Sequence, residues 1–221
     1  KKYLNNLIKK YYKVAIITDE NVYKIYKEKI NIKGVDILRV KPGEKSKSFT
    51  VKNSLDEKLL EKKFNRNSLI IGFGGGVVGD LSGYVAATIL RGIDLVHIPT
   101  SLIAIVDSSI GGKTGINSKN GKNLIGSFYN PREILINSEF INTLSLKEIR
   151  QGLSEIIKYG VIKSEKIFNF LEKSNKVFMQ NHKKNIDKII KECIKIKIDT
   201  VEKDFKENDL RSILNFGHTI G

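Results

Sequence analysis

The stretch NSLIIGFGGG, residues 67–76, constrains this chain more than any other. A short apolar run bounded by polar residues reads as a buried strand, and this one runs directly into glycines. DLSGYVAATIL (80–90) follows with helical character. Gly74, Gly76 and Gly79 therefore spell G-x-G-x-x-G at a strand-to-helix turn. Glycines let the chain turn tightly and a pyrophosphate approach the backbone, while the helix N-terminus favours the anion. A tight structural turn satisfies the same pattern; its place between strand and helix is what favours a phosphate. The acid that such a fingerprint wants about 20 residues on falls at Asp94, which precedes a strand and does not end one, so the match is set aside.

The same alternation runs through the first part of the chain. KVAIITDEN (13–21), GVDILRV (34–40) and DLVHIPTS (94–101) repeat the buried-strand pattern. SLDEKLLEKKF (54–64) puts Leu55, Leu59, Leu60 and Phe64 on one helical side. Strands alternating with helices predict a parallel α/β sheet. From about Asn137 the strand signals stop. Ser145 and Glu148 have capping-box spacing, and NIDKIIKECIKIKIDTVEKDF reads as a long amphipathic helix. The expected organisation is an α/β parallel-sheet domain over 1–138 and the start of an all-α domain over 139–221.

The chain is 221 residues long with net charge +15, which raises the question of nucleic acid. The charge divides as +10 over 1–67, +1 over 68–136 and +4 over 137–221. Of 39 basic residues 33 are lysines, scattered among Ile and Asn, and arginine, the preferred reader of base edges, is scarce. No nucleic-acid partner is expected, although the excess can draw in anionic substrates. No run approaches the roughly 18 apolar residues of a membrane span. Cys193 is the only cysteine, so neither a disulfide framework nor a cysteine zinc site exists, and a cytoplasmic setting is the default.

Several residues invite chemistry. VDSSIGGKTGINSKNGKNLIGSFYNP (106–131) reads as a long loop, ordered by its spaced apolar residues, whose amides and lysines suit a phosphate or carboxylate. Glu155 and Lys158 lie three apart on a helix and point away from the stripe Ile149, Leu153, Ile156 and Gly160; spacing alone makes them a solvated ion pair. Lys197 shares a helical face with Ile186, Ile190, Cys193, Thr200 and Asp204, so it must snorkel, pair or serve a site. His97, inside a strand, is expected in the core, and His182 in a polar stretch is expected at the surface. His218 near the C-terminus is a candidate ligand without an evident partner nearby.

Taken in order, GGGVVGDLSGYVAATILRG, HIPTSLIAIVDSSIGGKTGIN, GKNLIGSFYNP, LSLKEIRQGLSEIIKYG and LRSILNFGHTIG resemble 3-dehydroquinate synthase over about Val14 to Gly221. The resemblance implies a Rossmann-like domain and a helical metal-binding domain, with NAD between them and zinc (or cobalt) in the cleft. The implied substrate is a sugar phosphate, 3-deoxy-D-arabino-heptulosonate 7-phosphate. Its C5 hydroxyl is oxidised, phosphate leaves, the ketone is reduced back, and the ring reopens and closes as an aldol. Implied cofactor contacts are Asp19, Asn21, Glu44, Lys47, Gly75, Gly76, Val77, Asp80, Thr100, Ser101, Asp107, Lys122 and Thr143. Glu155 and His218 match two of three metal ligands. Lys113, Asn123, Lys158, Lys197, Arg211 and Asn215 match groups holding the substrate, and Arg91 one that reaches across a homodimer. The acidic cofactor contacts then lie at Asp19 and Glu44, leaving Asp94 structural.

The family pattern continues past Gly221 with a second histidine, the third metal ligand and another lysine. The chain is therefore expected to be truncated, binding NAD without turnover. Other sugar phosphate cyclases (inosose or valiolone synthases) and the glycerol and iron-dependent alcohol dehydrogenases are the enzyme alternatives; the SSIGGKTGIN loop argues against the dehydrogenases.

Overall fold

The computed structural model describes residues 2–173 and 186–217. They fall into two compact units, one of residues 1–100 and 112–137, the other of 101–111 and 138–221. The short segment 101–111 thus leaves the first unit and belongs to the second. Among the described residues no helix is long and apolar enough to cross a membrane.

The first unit is built on strands β1 (Val14–Asp19), β2 (Val35–Val40), β3 (Leu69–Gly74), β4 (Asp94–Pro99) and the short β7 (Glu133–Ile134). They form one parallel sheet in the order β2-β1-β3-β4-β7. Helices α1 (Lys2–Ile8), α2 (Glu20–Ile30), α3 (Phe49–Glu61) and α4 (Gly76–Thr88) accompany it. All six residues of β3 are buried, the continuous apolar run expected of a central parallel strand. Caps fix where the helices begin. Asp19 accepts from the amides of Asn21 and Val22 to start α2, and Ser48 from that of Val51 to start α3. Ala15 and Ile17 from β1, Leu55 and Leu59 from α3, and Leu81 and Val85 from α4 close one core cluster. Fully burying each large apolar side chain is worth about 1.5–3 kcal/mol.

Asp94 opens β4 and accepts from the Tyr11 hydroxyl at 2.9 Å and the Arg132 guanidinium at 2.7 Å, so it ties strand ends together. The stretch expected to be one loop is instead a π-helical turn (Ala104–Ser108) and an antiparallel hairpin of β5 (Lys113–Ser118) and β6 (Gly121–Phe128). The hairpin escapes a periodicity reading because β6 is largely exposed and lacks an alternating apolar face. The turn SKNG between its strands, with Asn-Gly inside it, is the signal that could have found it. The hairpin packs on α4 where Gly83 leaves room, since a Cβ there would lie 2.4 Å from the Thr114 methyl.

His97 lies in β4 and is 5% exposed, as the core reading expects, and its Nδ1 has no hydrogen-bond partner among the described residues. Burial pushes its pKa from 6.5 down to about 4. The unfolded chain therefore takes up a proton near pH 6.5 that the folded unit refuses. Stability is complete above that value and falls as pH drops toward 4, by about 3 kcal/mol in all. Urea denaturation at pH 7 and pH 4.5 should show this loss, and His97→Asn should remove most of it.

The second unit is helical. A 3-10 turn (Ser138–Thr143) leads to α5 (Leu146–Lys163), α6 (Glu165–Lys173), α7 (Ile186–Lys203) and a 3-10 turn over Leu210–Asn215. The Ser145–Glu148 capping box starts α5 as the sequence predicts. The face of α7 follows the pattern at Ile186, Ile190, Cys193, Lys197 and Thr200, all buried, whereas Asp204, expected on the same face, lies past the helix end at Lys203 and is half-buried. Burial pushes the Cys193 thiol up to about 12, which makes it an unreactive core residue.

Candidate active site

The sheet order places a topological switch between β1 and β3, because the chain runs outward from β1 to β2 and then returns to β1's other side. Open α/β sheets bind ligands off the carboxyl ends of strands at such a point. Asp19 ends β1, with Asn21 exposed just beyond it, and Gly75, Gly76 and Val77 follow β3. Glycine at 75 caps α4 with no side-chain bond, and α4 has no acid in its first turn, so its amide ends remain suited to an anion. Thr100 follows β4 and donates its amide to the Gly74 carbonyl at 2.9 Å.

Beside this edge stands a polar cluster. Lys47 is 3% exposed, and its Nζ reaches Asp80 Oδ2 at 2.6 Å, Glu44 Oε1 at 3.7 Å and the side-chain oxygen of Asn123. The 3-10 turn Glu44–Ser46 supplies Glu44 and is capped by Lys47, α4 supplies Asp80, and β6 supplies Asn123. One local residue, Glu44, and two distant in sequence, Asp80 and Asn123, are thus brought together around one buried ammonium. Lys113 and Lys122 lie exposed on the hairpin. Arg91 is exposed in a turn where Leu90 (φ 53°) and Arg91 itself (φ 66°) are both left-handed, a strained conformation for such residues.

The second unit holds a separate constellation. Asp107, in the π-helical turn, accepts on Oδ1 from Lys197 Nζ and from the Tyr159 hydroxyl, each at 2.6 Å. Lys197 is therefore buried and paired; it does not snorkel. Burial opposes the charge of Asp107. The ammonium groups of Lys197 and Lys158 and the two hydrogen bonds outweigh it and hold the carboxyl below the usual carboxylate range. Burial draws Lys197 below its ordinary value, opposed by Asp107. Burial, then Asp107, pushes the Tyr159 hydroxyl up, so it stays a hydrogen-bond donor.

The solvated reading of Lys158 is overturned: it is 6% exposed and bonded to Glu155, itself half-buried. Spacing missed this because the apolar stripe marks one side of α5 and does not show that Lys158, on the other side, is buried while Gln151 and Ser154 beside it are exposed. Arg211 is 1% exposed and donates to the carbonyls of Gly111 (3.2 Å) and Phe205 (2.6 Å). Gly111 (φ 101°) must be glycine, since a Cβ would lie 2.5 Å from that guanidinium. Ser101 accepts from the Ala104 amide, Thr143 donates to Phe140, and the exposed Asn215 donates to Glu207. Tyr159 was not singled out from sequence. A tyrosine beside the charged pair on α5 was the available signal, because a buried hydroxyl needs a partner.

His218 and His182 lie outside the described residues. Among the described residues no three His, Cys, Asp or Glu side chains group as a metal site. Glu155 is the single described member of the implied ligand set.

Residues 37–151 match the family described as 3-dehydroquinate synthase N-terminal, and residues 152–221 the one described as 3-dehydroquinate synthase C-terminal. A 3-dehydroquinate synthase of Dictyoglomus thermophilum is 48% identical over 221 residues, all of this chain and 62% of that protein. One of Clostridium perfringens strain SM101 is 52% identical over 188 residues, covering 85% of this chain and 53% of that protein. The chain thus spans a little over half of these relatives' length. Among solved structures, a Streptomyces hygroscopicus 2-epi-5-epi-valiolone synthase with NAD+ and Zn2+ bound aligns with TM-score 0.88 at 25% identity, over 96% of this chain and 62% of that one. A 2-deoxy-scyllo-inosose synthase complexed with carbaglucose-6-phosphate, NAD+ and Co2+ aligns with TM-score 0.82 at 26% identity, over 98% of this chain and 63% of that one. With both family halves matched in order and the nearer identities all to one enzyme, the chain belongs to the 3-dehydroquinate synthase family.

Proposed function

We propose that this chain is the NAD-binding part, with the beginning of the helical part, of a 3-dehydroquinate synthase. The whole protein converts 3-deoxy-D-arabino-heptulosonate 7-phosphate to 3-dehydroquinate and phosphate. The observation that carries the reading is the buried Lys47 held by Glu44, Asp80 and Asn123 beside a glycine turn without a side-chain cap at the sheet's switch point. That combination fits a dinucleotide: glycines and helix amides for the pyrophosphate, carboxylates of Asp19, Glu44 and Asp80 for hydroxyls. When bound, NAD supplies a hydride acceptor for the substrate's C5 hydroxyl and the hydride that later restores it.

The protein's own residues bind, orient and neutralise. A substrate carrying a phosphate and a carboxylate calls for several cations, and Lys113, Lys158, Lys197 and Arg211, with Asn123 and Asn215, are assigned to it. Asp107 pairs with Lys197 at 2.6 Å and fixes its position, so the lysine acts as a placed charge, and most of the protein's contribution is positioning and electrostatics. Thr100, Ser101, Lys122 and Thr143 complete the cofactor assignment. Glu155 and His218 are assigned to zinc or cobalt. A carboxylate oxygen and an imidazole nitrogen suit either metal. A cytoplasmic homodimer, with Arg91 directed to the partner, belongs to the same proposal.

Titration calorimetry with NAD tests the reading on the chain itself. Wild type should bind, and Lys47→Met should weaken binding at least tenfold, about 1.4 kcal/mol. The longer protein should release phosphate from the named substrate with NAD and zinc supplied. Failure of the wild-type chain to bind NAD, or of the longer protein to release phosphate, would overturn the proposal.

A further inference from the structure

Asn117 is uncharged, half-buried and outside every assignment above, yet three hydrogen bonds converge on it. Its amide donates to the Lys47 carbonyl at 2.8 Å. Its side-chain nitrogen donates to Glu44 Oε1 at 2.9 Å, and its side-chain oxygen accepts from the Asn123 amide at 2.9 Å. The hairpin register makes this possible. Ile116 pairs with Ile125 but Ser118 with Gly121, so the ladder slips at Asn117 and its backbone is free to bond outside the hairpin. Such bulges re-aim a side chain.

Asn123 sits at φ 58°, left-handed and uncommon for a residue with a Cβ. The bond from its amide to Asn117 holds that turn, and the turn delivers the Asn123 side-chain oxygen to buried Lys47. One carboxamide therefore fixes two of the groups around the Lys47 ammonium, Glu44 and Asn123, and is bonded to the backbone of Lys47 itself. We propose that Asn117 is the positioning residue of the nucleotide site, setting Glu44 in its binding geometry and the substrate-side Asn123 against Lys47 before the ligand arrives. Ordering these groups in advance removes a cost that binding would otherwise bear. The inference rests on the reading of this cluster as the NAD site.

The test is NAD titration of the 221-residue chain, with amide exchange measured at residue 123. Asn117→Asp keeps the size and the acceptor for Asn123 but sets a carboxylate against Glu44; NAD should bind about tenfold more weakly. Asn117→Ala loses both side-chain bonds, so the Asn123 amide should exchange faster without ligand. Combining Asn117→Ala with Glu44→Ala should lose far less than the product of the single losses, because Asn117 acts partly through Glu44. Losses that multiply in full, or NAD binding within twofold of wild type in both single variants, overturn the inference and leave the proposed function standing. No binding by the wild type overturns both.

Discussion

Replacing Asp107 with alanine should destabilise the helical unit by about 3–5 kcal/mol, the usual cost of removing one partner from a buried ion pair. Lys197, 6% exposed and bonded to Asp107 at 2.6 Å, would keep its ammonium in the interior without a counter-charge. The Tyr159 hydroxyl would lose its carboxylate acceptor as well. Asp107→Asn preserves the shape and should lose a large part of the same stability, since an amide gives Lys197 no negative charge. The pH dependence has a definite sign. Because the folded carboxyl titrates below its ordinary 3.8, its contribution is complete above that value and disappears as pH falls through the lower folded value. The difference between wild type and variant should therefore hold from pH 7 to about 4 and close only below it. Urea denaturation followed by circular dichroism measures it; the chain has no tryptophan to report. A loss under about 1 kcal/mol at pH 7 would place Lys197 in a far wetter setting than its burial indicates.

Arg211→Met should cost about 2–5 kcal/mol, because the buried Gly111 carbonyl and the half-buried Phe205 carbonyl both lose the guanidinium at once. Methionine fills much of the volume, so the loss measures the missing hydrogen bonds more than a cavity. Arg211→Lys can reach fewer acceptors and should recover part of it. Asn215→Ala is the contrast. That exposed side chain donates to Glu207 at the surface, and its loss should move stability by less than about 0.5 kcal/mol. If Arg211→Met is as stable as wild type, the arginine serves a ligand alone and the Gly111 turn is held by other contacts.

The two lysines of the helical unit show what patterning could and could not reveal. On α7 the apolar stripe pointed to Lys197 as an exception needing a reason, and the structure supplies Asp107. On α5 the same rule misplaced Lys158, because helical spacing tells which side is apolar but not whether a neighbour covers the other side. The carboxyl edge of the sheet was more legible. Its strands and its glycine turn are each local in sequence, so buried runs and turn residues found them. Patterning did not reveal the Lys47 cluster, whose members were named through the family resemblance, since they come from a 3-10 turn and its cap, a helix and an exposed hairpin strand with no shared period.

The sequence by itself determined the alternating strands and helices, the glycine turn after β3, the capped start of α5 and the family, because each is encoded in short-range chemistry or in runs of matched residues. The tertiary structure alone decided that the 106–131 stretch is divided between two units, that Asn117 sits at a slipped ladder beside Glu44, and that Asp107 neutralises a lysine 90 residues away. Those outcomes depend on burial and on which charges meet at close range, quantities that exist only once distant segments share one interior.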